Sequence, residues 1–132
     1  MLIRPYRSDD LKALERIHEN NELPTVCLPD PTNPLFFVGQ VVEHEGKTAL
    51  AAFLKLTAEP YLLVDKTVET PEWRWDALRA LNETISTAAW LRGLEQLSAW
   101  IPPEIEPSFK KRLQQMGYKK SPWSCYTNNL EQ

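Results

Sequence analysis

The stretch from Thr70 to Arg79 contains the residue types that bear most directly on chemistry. It opens a predicted helix after an apolar predicted strand, with Thr70 suited to the N-cap and Pro71 to the first helical position. Many α/β proteins bind phosphate at such a junction, where backbone N–H groups and the helix dipole stabilise an anion. This stretch has no glycine, and three acidic residues lie around the turn: Glu69, Glu72 and Asp76. The sequence therefore indicates an enzyme-like scaffold with an altered cofactor loop.

Composition restricts the class of protein to which the chain belongs. Its 132 residues, 42% hydrophobic and 25% charged, are typical of one soluble globular domain spanning residues 1–132. Fifteen Lys and Arg against eighteen Asp and Glu give a net charge of −3, which argues against nucleic acid or an anionic membrane as partner. No apolar run is long enough to span a membrane, so we expect a cytoplasmic protein. We expect it to be a monomer or a homodimer, with a small molecule or a protein as its partner.

The cysteines and histidines do not indicate a metal site. Cys27 and Cys125 have neither a second pair nor CxxC spacing, which argues against zinc and leaves a structural disulfide as a minor alternative. His18 is predicted late in the first helix and His44 in a hairpin, so surface positions explain both. No Ser/His/Asp constellation or metal-ligand spacing occurs, and we expect no metal cofactor.

Hydrophobic spacing predicts the elements of the first half. Leu2–Pro5 is a predicted strand, and Ser8 is predicted to cap a helix whose apolar residues recur at three-residue steps through about residue 20. Residues 20–34 contain several prolines and are predicted to form a stiff loop. Residues 36–42 and 48–56 are predicted to form a hairpin around a Glu-Gly turn, with a short helix at the alanine-rich second strand as the alternative.

The second half is predicted to alternate strands with helices. Apolar strands are predicted at residues 61–68, 97–101 and 123–127, and helices at residues 71–92 and 107–117. The first two of these strands should lie side by side and parallel, because a right-handed helical crossover joins them. The whole order predicts an α/β (α+β) fold with a mixed central sheet and helices on both faces.

Two stretches carry a family resemblance, residues 3–11 with the sequence IRPYRSDDL and residues 108–118 with the sequence SFKKRLQQMGY. The first resembles the opening strand and helix of the GCN5-related N-acetyltransferase (GNAT) superfamily. The second resembles the late helix of that family, which ends in Gly-Phe or Gly-Tyr. The predicted element order agrees over nearly the whole chain. The resemblance implies a single GNAT-like domain with a cleft between two splayed central strands, where acyl-coenzyme A binds and an amine attacks its thioester.

The resemblance also implies which residues bind the cofactor. In the family, Arg or Gln is followed by two residues, Gly, one residue and then Gly or Ala, and this pattern lets backbone amides approach the pyrophosphate. The matching positions here are Arg74, Ala77 and Arg79, and Val68 at the end of the preceding strand completes the candidate set. Arg79 departs from the pattern, so the loop is degenerate and phosphate contact would come from guanidinium groups. The two arginines are about 140° apart on a helix, which makes solvated or salt-bridged arginines the alternative.

Catalytic residues are implied in the same way, although the usual acid of the family is missing. Leu113 occupies the position of the tyrosine that protonates the leaving thiolate in many members. Tyr118 and Tyr126 are therefore the candidate acids, with simple packing as the alternative. Asp65 and Glu69 lie near the end of the predicted central strand and are the candidate bases, because a base there can reach the amine directly or through water. Solvated carboxylates are the alternative for this pair.

Trp100 is the candidate for substrate binding, because it lies near the end of the second central strand, where the cleft of the family opens. Two classes of function remain open. The first is a GNAT-like acyltransferase that uses acetyl-coenzyme A or another acyl-coenzyme A and a small-molecule or protein amine. The second is a catalytically inactive GNAT-fold module that binds a ligand or a protein. The fold favours the enzyme, whereas Arg79, Leu113 and the acidic turn favour the inactive module, and we expect weak cofactor binding.

Overall fold

Three strands of the first half form one antiparallel sheet in the order β1-β2-β3. They are β1 (Leu2–Pro5), β2 (Phe36–His44) and β3 (Lys47–Lys55). The structure is a computed structural model, and it describes residues 1–130. Apolar, aromatic and β-branched residues favour the extended backbone of β2, which pairs with strands on both sides. The predicted first strand and the predicted hairpin are confirmed.

A two-residue turn joins β2 to β3. Glu45 and Gly46 both adopt left-handed backbone, with φ of 50° and 76°. Positive φ at both central residues is the geometry of a type I′ turn, whose twist matches that of the flanking strands. Strand β3 continues through its alanines to Lys55, so the alternative of a short helix there is wrong.

Close packing against β2 requires a glycine at position 39. A Cβ atom on Gly39 would lie 2.8 Å from Cε1 of Phe53 and 3.2 Å from Cβ of Tyr6. The rings of Tyr6 and Phe53 meet edge to face with 5.2 Å between their centroids, and Phe36 makes a second such contact with Phe53 at 6.0 Å. The aromatic packing on this side of the hairpin therefore depends on the missing side chain.

Helix α1 (Leu11–Asn21) follows a short 3-10 turn at Ser8–Asp10. Leu14 is buried, as the three-residue apolar spacing predicts. The backbone N–H of Arg7 donates a hydrogen bond of 2.8 Å to the Asp10 carboxylate, so Asp10 supports this helix start and the predicted serine cap is wrong. Residues 22–34 lie outside regular elements, which confirms the predicted loop.

Helix α2 (Pro71–Leu91) confirms the long helix predicted in the second half. Thr70 caps it, because its Oγ1 accepts a hydrogen bond of 3.2 Å from the Trp73 N–H. Gly93 then adopts left-handed backbone with φ of 82°. The helix therefore begins and ends at the residues whose local chemistry specifies those ends.

Helix α3 (Glu106–Gln115) confirms the second predicted helix. Gly117 follows it with φ of 92°. The N–H of Tyr118 donates a hydrogen bond of 3.0 Å to the Leu113 carbonyl, as in a Schellman cap. The cap places Tyr118 next to the last turn, as the Gly-Tyr sequence predicts.

The strand predicted at residues 61–68 is not formed, so that prediction is wrong. The Asp65 carboxylate accepts hydrogen bonds from the Thr67 N–H at 2.8 Å and from the Thr67 hydroxyl at 2.6 Å. The N–H of Val68 turns back to the Asp65 carbonyl at 3.4 Å. This local turn competes with a sheet ladder for the backbone groups. Tyr61 and Leu63 are 90% and 97% exposed, so the apolar side chains of the segment are not buried by a neighbouring strand.

The strands predicted at residues 97–101 and 123–127 are also wrong. Leu97 makes an isolated parallel bridge with Ala58, and no ladder extends from it within residues 1–130. Two consecutive prolines, at positions 102 and 103, follow this segment and cannot donate to a neighbouring strand. The sheet is consequently antiparallel, and the expected parallel pair with its helical crossover is not present in the described residues. The predicted α+β class is confirmed, as an antiparallel three-stranded sheet with three α-helices in residues 1–130.

The chain divides into two compact units, and the core lies in the first of them. That unit contains residues 1–58 and 89–98, and the second contains residues 59–88 and those from 99 onward. The buried apolar side chains of residues 1–130 are Leu14, Leu35 and Val41. All three belong to the first unit, whereas α2 and α3 have no buried residue.

Two further properties of the described chain bear on the expectations from composition. Within residues 1–130, none of the helices has the length and apolar content needed to cross a membrane. Cys27 and Cys125 are exposed free thiols that do not form a disulfide.

Candidate functional site

Every residue predicted for the site lies in the second unit. These residues fall in the turn before α2, at its start and along it, between α2 and α3, and after α3. Those on α2, at its start and at the end of α3 are positioned by helices, whereas Trp100 and Tyr126 lie outside regular elements. The geometry of the site therefore rests on α2 and α3.

Arg74 binds the backbone that leads into α2. Its Nη1 donates to the carbonyl of Val68 at 2.9 Å and to the carbonyl of Glu69 at 2.8 Å. Glu69 has left-handed backbone with φ of 57°, which turns the chain just before the Thr70 cap. Arg74 is half-buried, and its two hydrogen bonds hold the junction that should open the cofactor loop. The guanidinium group therefore stabilises the protein's own backbone.

The backbone donors at the start of α2 are nearly all used. Pro71 has no N–H, the Trp73 N–H donates to Thr70 Oγ1, and the Arg74 N–H donates to the Thr70 carbonyl at 3.0 Å. Among residues 1–130, this leaves the Glu72 N–H of the first turn without an acceptor. A phosphate needs several such donors at a helix N-terminus, and the acidic side chain of Glu72 opposes an anion. Ala77 is half-buried further along α2 and contributes no polar group.

Asp65 is held as an acceptor in the turn before α2. Hydrogen bonds from the Thr67 hydroxyl and then from the Thr67 N–H lower the pKa of the Asp65 carboxyl below its ordinary value. A lowered pKa makes a carboxylate a weaker base. The side chain is exposed, so solvent reaches it freely.

Arg79 joins a cluster that contains residues of both helices. Its Nη2 pairs with Oδ1 of Asp76 at 2.5 Å, and both side chains are more than half exposed. The guanidinium carbon of Arg79 lies 5.5 Å from the ring centroid of Trp75, one helical turn earlier in α2. The guanidinium carbon of Arg112, in α3, lies 5.6 Å from the same centroid. Two cation–π contacts therefore converge on one indole.

Tyr118 and Tyr126 lie in different environments. The Tyr118 hydroxyl donates to Oδ1 of Asn82 at 3.0 Å, and burial raises the pKa of this phenol above its ordinary value. Tyr126 is 95% exposed. Tyr118 is therefore fixed against α2, and the two predicted acids do not form one site.

Trp100 lies beside a carboxylate. Its Nε1–H donates to Oε1 of Glu59 at 2.9 Å, and the Tyr61 hydroxyl donates to Oε2 of the same carboxylate at 3.4 Å. Trp100 is 55% exposed, so its ring is available to a ligand. Two aromatic rings and a carboxylate form a group that suits a cation.

The structure brings some predicted residues together and leaves others apart. Val68, Glu69 and Arg74 meet at the start of α2. No hydrogen bond within residues 1–130 links the predicted bases to either predicted acid. Sequence reasoning missed Arg112, although the basic run of α3 was a signal, and it missed Asn82, for which no local signal exists.

No group of three or more His, Cys, Asp or Glu side chains in residues 1–130 is placed to hold a metal ion. The chain was also compared with protein-family models, with curated proteins and with solved structures. No family model, curated protein or solved structure matches it.

Proposed function

We propose that the chain is a GNAT-like acyltransferase that moves an acetyl or other acyl group from acyl-coenzyme A to an amine. The observation that carries the proposal is where the two family-like stretches fall. Residues 3–11 span β1 and the start of α1, and residues 108–118 span α3 and its glycine cap. A hairpin and a long helix lie between them in the order that the resemblance implies, although the two central strands that it also implies are not formed within residues 1–130. We place the protein in the cytoplasm and give it a small-molecule or protein amine as acceptor.

The proposed reaction assigns roles to residues at the start of α2 and after α3. The amine nitrogen attacks the thioester carbonyl carbon, the carbon–sulfur bond breaks, and the nitrogen loses a proton to a base. Glu69 is the stronger candidate base, because the Asp65 carboxylate already accepts two hydrogen bonds. Tyr118 is the candidate acid for the departing thiolate, since a phenol is protonated at neutral pH and its hydroxyl donates a hydrogen bond to Asn82. Trp100 and Glu59 suit the protonated amine of the acceptor.

A second candidate function is a catalytically inactive GNAT-fold module that binds a ligand or a protein. Two observations favour it. Arg74 donates to the protein's own carbonyls, and Arg79 pairs with Asp76. In addition, the second unit exposes large apolar side chains, such as Leu63 at 97% and Trp73 at 50%. Where exposed apolar side chains form a contiguous patch, they mark binding sites in other proteins.

Turnover with acetyl-coenzyme A and a panel of amines tests the enzyme, with the acetylated amine measured by chromatography. A reagent for free thiols is unsuitable, because Cys27 and Cys125 are themselves exposed thiols. We expect slow turnover, and we expect Tyr118→Phe to lower kcat by about 100-fold with little change in KM, as for loss of a general acid. Tyr126→Phe is the matched control and should retain the parental kcat.

The alternative outcomes separate the two candidate functions. Calorimetric binding of acetyl-coenzyme A without turnover of any amine would favour the inactive module. Turnover that is equally fast in Tyr118→Phe would keep the enzyme and remove Tyr118 as its acid. Failure to bind acetyl-coenzyme A at millimolar concentration would contradict the acyltransferase.

A further inference from the structure

Two arginines from different helices share one tryptophan in the second unit. The guanidinium carbons of Arg79 and Arg112 lie 5.5 and 5.6 Å from the centroid of Trp75. Since both lie so close to the same point, the two guanidinium groups are within about twice that distance of each other. Arg79 and Trp75 are four residues apart in α2, which places them on one helix face. The half-buried indole therefore orients two cations that the sequence separates widely.

The charges of this cluster are only partly balanced within residues 1–130. Asp76 pairs with Arg79, but both side chains are more than half exposed, and an exposed pair of this kind is weak enough for a ligand to displace. No carboxylate within residues 1–130 pairs with Arg112. Two cations on one ring repel each other unless an anion lies between or beside them. The free guanidinium donors are suited to an anion with several oxygen atoms.

The surrounding residues of α3 strengthen the positive charge. Lys110 and Lys111 directly precede Arg112, and Lys119 follows the glycine cap. Glu106, the acidic residue of this helix, is paired with Lys120 at 2.8 Å. The chain as a whole carries a net charge of −3, so the positive charge of this region is local. Such a local field attracts anionic ligands.

We infer that Arg79 and Arg112, held against Trp75, form a binding site for the phosphate groups of an adenine nucleotide. The inference rests on the proposed function in one respect, because acyl-coenzyme A carries these groups as its adenosine 3′-phosphate and diphosphate. The start of α2 does not provide this site, since nearly all of its backbone donors are engaged and the acidic side chain of Glu72 lies there. Side chains on the two helices replace the backbone amides that a glycine-containing loop would offer. Arg79 thus binds phosphate together with Arg112, and Arg74 takes no part.

Calorimetric titration of the full chain with adenosine 3′,5′-bisphosphate tests the site without any acyl group. We expect Arg112→Gln and Arg79→Gln each to weaken binding about tenfold or more, because each removes charge-assisted hydrogen bonds. Lys111→Gln is the matched control, since it removes the same charge from the neighbouring residue of α3 and should change the affinity less than about twofold. Arg79→Lys should also weaken binding, because lysine keeps the charge without the planar fork. Circular dichroism checks that each variant is folded.

Inorganic pyrophosphate, titrated in parallel, separates the two sources of phosphate. Pyrophosphate binding that is weaker than bisphosphate binding but still depends on both arginines would support the site. The difference in affinity would then be the contribution of the adenosine. Equal losses in Arg112→Gln and Lys111→Gln would overturn the inference in favour of diffuse attraction. The absence of bisphosphate binding at millimolar concentration would overturn it too. Arginine-dependent binding without acetylation of any amine would support the phosphate site and contradict the acyltransferase. Acetylation with an unchanged KM for acetyl-coenzyme A in both Arg→Gln variants would support the acyltransferase and contradict the phosphate site.

Discussion

Arg4 is the residue that connects three parts of the first unit. Its Nη2 and Nη1 donate to the two carboxylate oxygens of Asp10 at 2.6 and 2.9 Å, and its Nε donates to Glu43 at 2.9 Å. Asp10 also accepts the Arg7 N–H at the start of α1. One guanidinium group therefore ties β1 to the first helical turn and to β2. Such a network is costly to break, because without Asp10 the Arg4 guanidinium keeps only Glu43 and two of its donors lose their acceptors in a partly dehydrated place.

Replacing Asp10 with Asn should lower the free energy of unfolding by about 2–3 kcal/mol at neutral pH. Hydrogen bonds from Arg4 hold the pKa of the folded Asp10 carboxyl at about 2, below the ordinary 3.8. Because the folded pKa is depressed, the stabilisation is present above pH 4 and is lost as the pH falls toward 2. Urea unfolding at pH 7, pH 4 and pH 2 measures both effects, and the parent should approach the variant at the lowest pH.

Asp9→Asn is the control for this prediction. Asp9 is exposed and adjacent, so its replacement removes one carboxylate without touching the Arg4 network. If Asp9→Asn destabilises the protein as much as Asp10→Asn does, then general charge and not this network explains the effect. The assignment of the effect to the Arg4–Asp10 pair would also be contradicted if the difference in unfolding free energy between the parent and Asp10→Asn stayed unchanged down to pH 2.

The helices illustrate what short-range chemistry can specify at the scale of an element. Thr70, Gly93 and Gly117 mark helix ends in the sequence, and the structure places caps at all three. The absence of a strand at 61–68 could not be predicted in this way, because an apolar run does not reveal whether a partner strand lies beside it. The Asx turn at Asp65 was visible in the sequence as Asp-Lys-Thr, yet its competition with pairing depends on the rest of the fold. Local sequence signals therefore predicted the helices better than the strands.

Gly117→Ala should destabilise the protein by roughly 1 kcal/mol, through the backbone alone. Gly117 has φ of 92°, and a Cβ atom there would meet no atom within 4 Å, so steric overlap is not the cause. Gly117→Asn should cost less, because asparagine tolerates left-handed backbone better than alanine. Thermal unfolding of the two variants measures the difference. Equal destabilisation by alanine and asparagine would show that φ does not set the cost.

At the scale of the whole molecule, the contacts of the candidate site depend on how α2 and α3 pack together. Arg79 was a candidate because its position matches the cofactor pattern of the family that the sequence resembles, but its neighbours could not be predicted. Arg112 and Trp75 are 37 positions apart in the sequence, and their contact depends on how the side chains of α2 and α3 meet. The same is true of Tyr118 and Asn82. Pairings between helices arise from packing, for which a single sequence carries no direct signal.

Burial differs between the two units, and this difference predicts their local stability. The buried apolar side chains, Leu14, Leu35 and Val41, belong to the first unit, whereas α2 and α3 have none. Local opening is easiest where few apolar side chains are buried. Native-state hydrogen exchange should therefore be slowest for the amides of β2, which pairs on both sides, and faster by at least about tenfold for those of α3. Adenosine 3′,5′-bisphosphate should slow exchange in α3 while leaving β2 unchanged, since a ligand that binds only the closed state raises the cost of opening. If α3 exchanges as slowly as β2 without ligand, its stability does not follow from the burial seen within its unit.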